Sequence, residues 1–598
     1  MKRNYTVIEI SYEVANKIGG IYTVLVSKIG EMERNIRDYY LMGPYYKDKS
    51  KAEFEEIEVP KNLAKIFSKI KRSYGIKCYY GRWLTEHKPF AILIDFDSIR
   101  PKLNSIKKEM WDNFRIDSLH SDSWFDEPLL WGKAAGIVLE QLIKEKIFKN
   151  KLILHFHEWI SGAGLLHLKE KKMKVPTVFT THSTVLGRTI AEVGGKDIYG
   201  MIEESLKNKE SIPNNIAYDY QCQAKHLLEK TTAMNATFFT VVSETLYKES
   251  TAVLGRKPDF ILPNGLNMSK FPLMETLSNM HVTYRNRIWR FLISYFTPYY
   301  NIDTKNSIIF YMSGRNEFHN KGIDVFIDSL GELNKKIKAA NSSKTAFVFV
   351  WIPENTKERK RTVMEHLALF DTVEEVVRDE IRKIEEKIID AFSKGIPLEK
   401  ANIFDNEFLY DIRKMELKLK QNDTKNPPIS PYELYSENAI LKNLAKNGLL
   451  NREEDRVKVI YYPVYLSPAD GLLGLNYYHA IIGCHVGVFP SYYESWGYTP
   501  LEAAALGLQS ITTDLSGFGK FIKPQLQSND TNIVVIPREN QEYHDVVENL
   551  SNTMYKIYSM SKKERGAEKI KAKQLSILAD WKYLIKNYLD VYDASQKI

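Results

Sequence analysis

Two glutamates flank a predicted strand–loop–helix turn in residues 485–507, where open α/β sheets commonly place functional side chains. Seven residues separate Glu494, in the loop, from Glu502, in the first turn of the helix. The string TPLE, which starts at Thr499, predicts a capping box with Thr499 as the N-cap residue and Glu502 at the third helical position. Unpaired N–H groups at such a helix start bind anions. The alternative is that Glu502 only caps the helix and Glu494 is solvated.

A glycine-bearing loop near the start of the chain is a candidate for phosphate binding. The predicted strand at residues 5–11 leads through Lys17, Gly19 and Gly20 into a helix that begins near Ile21. Glycines let the backbone approach a phosphate closely, and the lysine adds a positive charge beside it. An ordinary Gly-Gly turn is the alternative.

Two further loops follow predicted strands. The string GRNEFHNKG comes after the strand at 307–313 and carries Arg315 and Lys321 ahead of a helix. Cationic groups that converge at a helix start suit a diphosphate, and a solvated basic loop is the alternative. His182 follows the strand at 175–181, the usual place for functional side chains in an open α/β sheet. A histidine with a purely structural role is the alternative there.

Histidine and cysteine residues stand at a few places where a metal site could form. His155 and His157 lie two positions apart on a predicted strand and point the same way, which can begin a metal site. No third ligand is apparent nearby, so no metal site is predicted. The cysteines, Cys78, Cys222 and Cys484, are far apart and have neither metal-ligand spacing nor a disulfide framework.

Length and composition indicate a soluble protein of several domains. A chain of 598 residues is too long for a single core. No apolar run approaches the roughly 20 residues of a membrane span, and the N-terminus lacks a signal sequence, which predicts a cytoplasmic protein. The excess of basic over acidic residues, 84 − 75 = 9, suits an anionic substrate but does not indicate nucleic-acid binding.

Strand and helix signals alternate along most of the chain and predict an α/β fold. Residues 371–421 depart from this alternation. Their dense charges and helically spaced apolar residues predict a helical hairpin, which the string NPP at 426–428 ends.

Several strings carry a resemblance to one family. FPSYYESWGYTP, followed by LSGFG, resembles the E-x7-E region of glycogen synthases of the animal and fungal type, glycosyltransferase family 3. EVANKIGGIYTV, HFHEW, THSTVLGR, GRNEFHNKG and DWKYL resemble further segments of that family. The resemblance covers most of the chain and is weakest at 45–125, 185–220, 355–455 and the last basic helix.

The resemblance implies the GT-B architecture, in which two Rossmann-like α/β domains face each other across a cleft. It places an N-terminal, acceptor-side domain at residues 1–265. A C-terminal, donor-side domain would occupy residues 266–575, with a helical insertion at about 360–450. Residues 576–598 would form a helix that returns to the first domain.

The resemblance also implies a reaction: retaining transfer of glucose from UDP-glucose to the non-reducing 4-OH end of an α-1,4-glucan such as glycogen, with no metal or other cofactor. It implies an acceptor-binding role for Glu158. The implied catalytic residues are Glu494, His182, Arg188, Arg315 and Lys321. The implied donor-binding residues are Lys17, Gly19, Gly20, Tyr477, Tyr493, Trp496, Gly497, Tyr498, Thr499 and Glu502.

Assembly and regulation are implied in the same way. The family implies a homo-oligomer, with a tetramer favoured, built through the helical insertion, and neither a nucleic-acid nor a membrane partner. The long phosphorylated tails of animal and fungal enzymes are not expected, which suggests a minimal, prokaryotic-like version. An arginine-rich helix binds glucose 6-phosphate in those enzymes, and lysine, which largely replaces arginine here, lacks the bidentate grip of a guanidinium. This argues against such activation; the residues concerned are Lys562, Lys563, Arg565, Lys569, Lys571 and Lys573.

Three alternatives stay open at this point. The strings do not distinguish UDP-glucose from ADP-glucose as donor. The protein could be another GT-B transferase with a different nucleotide sugar or acceptor, or a catalytically silent glucan-binding scaffold. The combination of Glu494 with Arg315, Lys321 and His182 speaks against a scaffold, because a binding module has no need of a phosphate-binding set.

Overall fold

The computed structural model describes residues 2–420, 425–436 and 438–598, without the side chains of residues 401 and 402. Within these ranges the chain forms two large, mainly parallel sheets covered by helices, and the predicted α/β class is confirmed. Residues 421–424 and 437, which fall in the predicted helical insertion, lie outside the described residues.

The first sheet has the strand order β3-β4-β5-β2-β1-β6-β7-β8-β9, parallel except for the pairs β3–β4 and β4–β5. Its central strands are buried on both faces, which is why their sequences are nearly continuous apolar runs. The strands are β1 (Arg3–Ile10), β2 (Ile36–Pro44), β3 (Phe54–Glu56), β4 (Lys77–Trp83), β5 (Phe90–Asp95), β6 (Lys151–His157), β7 (Thr177–Thr181), β8 (Phe238–Val241) and β9 (Phe260–Ile261). The accompanying helices are α1 (Gly20–Asn35), α2 (Lys47–Glu53), α3 (Lys61–Tyr74), α4 (Leu103–Phe114), α5 (Ser123–Lys144), α6 (Glu158–Glu170), α7 (Val185–Val193), α8 (Ile198–Asn208), α9 (Asn215–Asp219), α10 (Gln223–Asn235) and α11 (Glu244–Leu254).

The second sheet is parallel throughout, with the order β14-β11-β10-β15-β16-β17, and a small antiparallel pair, β12–β13, lies beside it. Its strands and this pair are β10 (Ile308–Ser313), β11 (Ala346–Trp351), β12 (Thr356–Arg359), β13 (Tyr432–Leu434), β14 (Val457–Tyr461), β15 (Val486–Val488), β16 (Gln509–Thr513) and β17 (Ile533–Ile536). The helices are α12 (Met274–Phe296), α13 (Ile323–Ala339), α14 (Arg361–Ser393), α15 (Lys400–Ile403), α16 (Asn406–Leu419), α17 (Ala439–Lys446), α18 (Tyr477–Gly483), α19 (Tyr498–Ala505), α20 (Gly517–Ile522), α21 (Tyr543–Ser559), α22 (Lys562–Ser576) and α23 (Trp581–Ser595). Short 3-10 turns occupy Asp97–Lys102, Met268–Lys270, Lys523–Gln525 and Ile577–Ala579.

The apolar cores follow the two sheets. One buried cluster surrounds the first sheet and includes the inner face of α23, and two others cover the opposite faces of the second sheet. Helix α23 therefore packs on the first sheet although it follows the second in sequence. The indole Nε1 of Trp581 donates to Ser27 Oγ of α1 at 2.7 Å, and Arg3 of β1 pairs with Asp593 at 3.0 Å.

Helices α14 and α16 occupy the region where the helical hairpin was predicted. Helix α14 is 33 residues long and buries only Val363, His366, Glu380 and Ala391. Its apolar residues at helical spacing are therefore largely exposed in the single chain, among them Phe392 at 84% and Ile389 at 61%. No helix in the described ranges is both long and apolar enough to cross a lipid bilayer.

Candidate active site

A cleft of about 500 Å³ lies at the carboxyl ends of both sheets, where the loops after β1, β6, β7, β10 and β15 meet. Parallel strands bring the ends of distant segments to one edge of each sheet, and the cleft forms where the edges of the two sheets face each other. Four predicted residues, Lys17, Tyr477, Thr499 and Glu502, are not part of its lining. Twelve predicted residues line it: Gly19, Gly20, Glu158, His182, Arg188, Arg315, Lys321, Tyr493, Glu494, Trp496, Gly497 and Tyr498.

Lys321 and Glu494 form an ion pair in the cleft, with Nζ 2.5 Å from Oε2. Their side chains are only 15% and 21% exposed, so water screens the pair weakly. Lys321 lies in the turn before α13, and Glu494 lies in the loop after β15. The Glu494 carbonyl accepts the N–H of Gly517 at 3.1 Å, which fixes this loop at the start of α20.

A second ionic group joins the two sides of the cleft. Arg188 of α7 donates to Glu317 Oε1, and Arg315 Nη2 lies 3.1 Å from the same oxygen. Burial raises the pKa of Glu317, but the charges of Arg188, Arg315 and Lys321 outweigh it and hold that pKa below its ordinary value. Glu317 was not predicted as a site residue, although it stands inside the string GRNEFHNKG.

His182 follows β7 and forms the inner wall of the cleft. Its Nε2 lies 3.0 Å from Nδ1 of His157, the last residue of the neighbouring strand β6. Burial lowers the pKa of His157 to about 3 and holds the pKa of His182 well below its ordinary value, so both rings are neutral near pH 7. A neutral imidazole ring can exchange hydrogen bonds with a hydroxyl group without adding charge to the cleft.

Glu9 supplies the third potential metal ligand that the sequence did not reveal. Its carboxylate and ring nitrogens of His155 and His157 all lie within 4.8 Å of one another. His157 Nε2 has no hydrogen-bond partner among the described residues, but the other two members have partners: His155 contacts Tyr592 Oη at 2.7 Å and Thr180 Oγ1 at 2.6 Å, and Lys28 Nζ lies 2.8 Å from Glu9. The lysine ammonium already supplies the cation, so the cluster is a closed polar core rather than an open metal site.

The Glu9–Lys28 pair is completely buried beneath His157 and His182. Burial raises the pKa of Glu9, but the Lys28 charge and the histidine contacts bring it well below the ordinary value. The hydroxyl groups of Tyr39 and Tyr592 both donate to Glu9 at 3.0 Å, the second of them from α23. These donors and the Lys28 ammonium together offset the cost of burying the ionised carboxylate of Glu9.

Glu158 is the first residue of α6 and has a backbone φ of 64°, an unfavourable value for a non-glycine residue. Its Oε1 accepts the N–H groups of His182 and Ser183 at 2.8 and 3.1 Å. Burial, opposed by these amides, raises its pKa to about 7. The predicted acceptor-binding carboxylate therefore also holds the loop that carries His182.

In the glycine loop before α1, a carboxylate of the chain itself accepts hydrogen bonds from the backbone amides. Glu13 Oε2 accepts the N–H groups of Gly19 and Tyr22, each at 2.8 Å. The predicted phosphate position at this helix start is thus partly taken by a carboxylate of the chain. Lys17 is exposed and lies over the Tyr22 ring at 5.6 Å.

The predicted capping box at Thr499 is wrong. Helix α19 begins at Tyr498 with Gly497 as its N-cap residue, and no side chain caps it. Gly497 has φ 101°, which permits a turn that other residues rarely adopt, so the helix starts before Thr499. Glu502 Oε1 instead accepts the Tyr478 hydroxyl at 2.8 Å, with Tyr477 at 3.5 Å from its other oxygen.

Replacing Glu502 with glutamine is expected to stabilise the unliganded protein at pH 8 and to have little effect near pH 5. Burial raises the pKa of Glu502 to about 7, against the tyrosine donors that oppose it. Because the unfolded chain ionises this group at lower pH, the stability of the wild type falls as the pH rises through this interval. Calorimetric melting temperatures at the two pH values test this. A difference of the same size at both pH values would contradict it, and Glu548→Gln, an exposed change on α21, is the control.

The aromatic loop after β15 contacts the first domain directly. The Tyr493 hydroxyl donates to the buried Glu249 of α11 at 2.7 Å, and the Tyr199 hydroxyl donates to the carbonyl of Tyr492 at 2.8 Å. Tyr498 Oη lies 3.3 Å from the carbonyl of Gly265. These contacts join the loop after β15 to elements that pack on the first sheet.

Gly322, the N-cap residue of α13, packs against the loop after β15. A Cβ atom added there would lie 2.0 Å from the Pro490 carbonyl oxygen, and its φ is 68°. We expect Gly322→Ala to destabilise the protein by roughly 3 kcal/mol, from backbone strain and overpacking together. The melting temperature measures this. Gly566→Ala within α22, where nothing lies within 4 Å of the added atom, should instead stabilise slightly; equal effects of the two changes would contradict the prediction.

The basic helix α22 lies against α19 and β16, outside the cleft lining. Burial, with the charges of Arg285 and Arg565, holds the pKa of Lys569 well below its ordinary value. Arg285 donates to the carbonyls of Gly483 and Cys484 at 3.1 and 3.0 Å. Lys573 donates to the Ala505 carbonyl at 2.7 Å, so part of the predicted basic cluster has a structural role.

The chain is similar to known proteins over nearly its whole length. The family described as glycogen synthase matches residues 9–597. A glycogen [starch] synthase of Dictyostelium discoideum is 33% identical over 591 residues, which covers 98% of this chain and 66% of that protein. That of Neurospora crassa is 33% identical over 597 residues, covering 98% and 83%. Among solved structures, the catalytic domain of starch synthase IV from Arabidopsis thaliana, bound to ADP and acarbose, has a TM-score of 0.51 at 11% identity over 100% of both chains, which shows a shared fold.

Proposed function

Because this chain belongs to the glycogen synthase family, we propose that it is a glucosyltransferase that extends an α-1,4-glucan at its non-reducing 4-OH end, with UDP-glucose as donor and retention of configuration. The observation that carries the proposal is the meeting of Arg188 from one domain with Arg315 and Lys321 from the other in a single cleft. A glucan-binding scaffold would have no use for three cations placed around one anion position.

The cations would stabilise the leaving group. Breaking the bond between glucose and the nucleotide leaves additional negative charge on the diphosphate, and donors fixed in advance where charge develops lower the barrier. Arg315 and Lys321 approach from the loop after β10, and Arg188 approaches from α7. The start of α19, which Gly497 and Tyr498 bring into the cleft wall, adds N–H groups to the same region. We propose that these groups suffice without a metal or other cofactor.

The remaining groups would hold the sugars. Glu494 would accept hydrogen bonds from donor-sugar hydroxyls while it positions Lys321, and neutral His182 would line the sugar position. The His182 main-chain carbonyl could then face the sugar as it becomes cationic, since Glu158 fixes that loop. Glu502, with Tyr477, would bind the ribose and the base. The departing phosphate can receive the proton of the acceptor hydroxyl, so no separate protein base is assigned.

We further propose that residues 1–265 form the acceptor side and 266–575 the donor side, with 576–598 completing the first domain. The packing of α23 on β1 supports this division.

A cytoplasmic location is supported by the free thiols of Cys78, Cys222 and Cys484. A homo-oligomer, with a tetramer favoured, is supported by the exposed apolar face of α14; light scattering of wild type and Phe392→Glu would test it.

The direct test is transfer of labelled glucose to glycogen from UDP-glucose and from ADP-glucose, each with and without glucose 6-phosphate. Transfer from UDP-glucose supports the proposal, and preference for ADP-glucose would revise the donor. Equal rates with and without the sugar phosphate are expected from the lysine-rich α22, whereas activation would assign Arg285, Arg565 and Lys569 a binding role. No transfer from either donor, with glycogen binding intact, would favour the scaffold.

A further inference from the structure

Glu317 lines the cleft, and the proposed reaction gives it no role. It lies in the loop after β10 with its side chain 15% exposed. Its Oε1 accepts Arg188 from the first domain and lies 3.1 Å from Arg315 Nη2 of its own domain. A single carboxylate oxygen therefore bridges two guanidinium groups that belong to opposite sides of the cleft.

This oxygen holds the position that a phosphate oxygen would need. A guanidinium binds carboxylate and phosphate through the same N–H groups, so one anion excludes the other from the shared donors. The charges of Arg188, Arg315 and Lys321 keep Glu317 ionised, because they outweigh the effect of burial on its pKa. A diphosphate that entered without moving Glu317 would place like charges close together.

We propose that Glu317 is an internal counter-anion that occupies the diphosphate position of the unliganded enzyme and is displaced when the donor binds. This rests on the proposed function, since it takes the ligand of these cations to be a nucleoside diphosphate sugar. Glu317 neutralises the cations and keeps Arg188 and Arg315 facing each other across the cleft. Donor binding exchanges two carboxylate contacts for phosphate contacts.

The exchange has a consequence for specificity. Displacing Glu317 breaks its contacts with Arg188 and Arg315, which costs free energy. Only an anion that contacts both guanidinium groups replaces both of those contacts. A nucleoside monophosphate, with one phosphate group, would recover less than a nucleoside diphosphate. Glu317 therefore penalises partial ligands and favours the complete diphosphate of the donor or product.

The test compares wild type with Glu317→Gln, in which the side chain keeps its size and loses its charge. Calorimetric titration with UDP and with UMP gives Kd for both proteins, and transfer of labelled glucose from UDP-glucose is measured alongside. We expect Glu317→Gln to lower the Kd for UDP by about fivefold to tenfold and that for UMP by less. Both arginines are partly exposed, at 39% and 58%, so the variant should fold, and its melting temperature verifies this.

A matched control separates displacement from a general effect of bridging the domains. Glu539 also links the domains, with Lys520 at 3.0 Å and Lys248 of α11 at 3.9 Å, but it does not line the cleft. Glu539→Gln should leave the Kd for UDP unchanged within twofold.

Weaker or unchanged UDP binding by Glu317→Gln would overturn the inference, because it would show that Glu317 supports the arginines in the bound state or has no part in binding. Equal tightening by Glu539→Gln would overturn it as well, by assigning the effect to domain bridging. The proposed function fails separately, if the wild type transfers no glucose.

Discussion

Replacing Glu494 with glutamine is expected to lower kcat for glucose transfer from UDP-glucose by roughly 10²- to 10³-fold, the loss typical of removing one group that stabilises developing charge. The change keeps the size of the side chain but removes the charge that holds Lys321 Nζ at 2.5 Å. The lysine then no longer faces the diphosphate in a fixed position, and a donor-sugar contact is weakened as well. Initial rates of labelled glucose transfer to glycogen at saturating donor measure the effect.

Two further variants show whether the loss arises from the ion pair. Lys321→Met should cost a similar factor, and the double variant should be little worse than the poorer single variant, because the two residues act as one unit. Glu548→Gln on α21 changes an exposed carboxylate and should be as active as the wild type. A Glu494→Gln enzyme within threefold of wild type would remove Glu494 from the mechanism.

Replacing Lys28 with methionine is expected to destabilise the protein by about 3–5 kcal/mol, the usual cost of leaving one member of a buried ion pair without its partner. Lys28 and Glu9 have no exposed side-chain surface, and 2.8 Å separates Nζ from Oε1. Without the ammonium, the pKa of Glu9 should rise above that of the unfolded chain, so the variant should lose stability as the pH rises. Melting temperatures at pH 5 and pH 8 measure both effects.

The rescuing change is Glu9→Gln in the Lys28→Met background. The oxygen of a glutamine can accept from one of the two tyrosine hydroxyls while its NH2 group donates to the oxygen of the other, so the double variant should recover most of the lost stability. If the double variant is no more stable than Lys28→Met alone, the loss comes from packing rather than from the orphaned charge. His157 Nε2 lies 3.8 Å from Glu9, and His157 Nδ1 contacts His182 in the cleft. The activity of the folded variants therefore also shows whether the Glu9–Lys28 pair helps to hold His182 in position.

The α/β class could be predicted from the alternating strand and helix signals, and His182, Arg315 and Lys321 could each be placed at the end of a strand because each follows a recognisable one. The same logic placed Glu494 at a strand end. These placements need only local patterns and one topological rule, whereas the meeting of the two sheets across one cleft was implied only by the resemblance to the family.

What escaped prediction depends on contacts between distant segments. Nothing near Glu317 shows that Arg188, 129 residues away, lies against it. Glu9 appears in the sequence as one polar residue in a strand, and its pairing with Lys28 follows from the packing of α1. The string TPLE fits a capping box, but the left-handed Gly497 and the tyrosines of α18 determine where the helix starts and where Glu502 points.

The packing of α23 also has a consequence for biosynthesis. Tyr592 donates to Glu9 from a position 583 residues further along the chain, and Trp581 fills the space beside Gly265. While the ribosome is still translating the second domain, the first therefore lacks a hydroxyl donor to the fully buried carboxylate of Glu9 and part of its apolar core. The nascent first domain should stay protease-sensitive and inactive until α23 emerges. Translation thus delays the appearance of a working transferase until both halves of its cleft have been made.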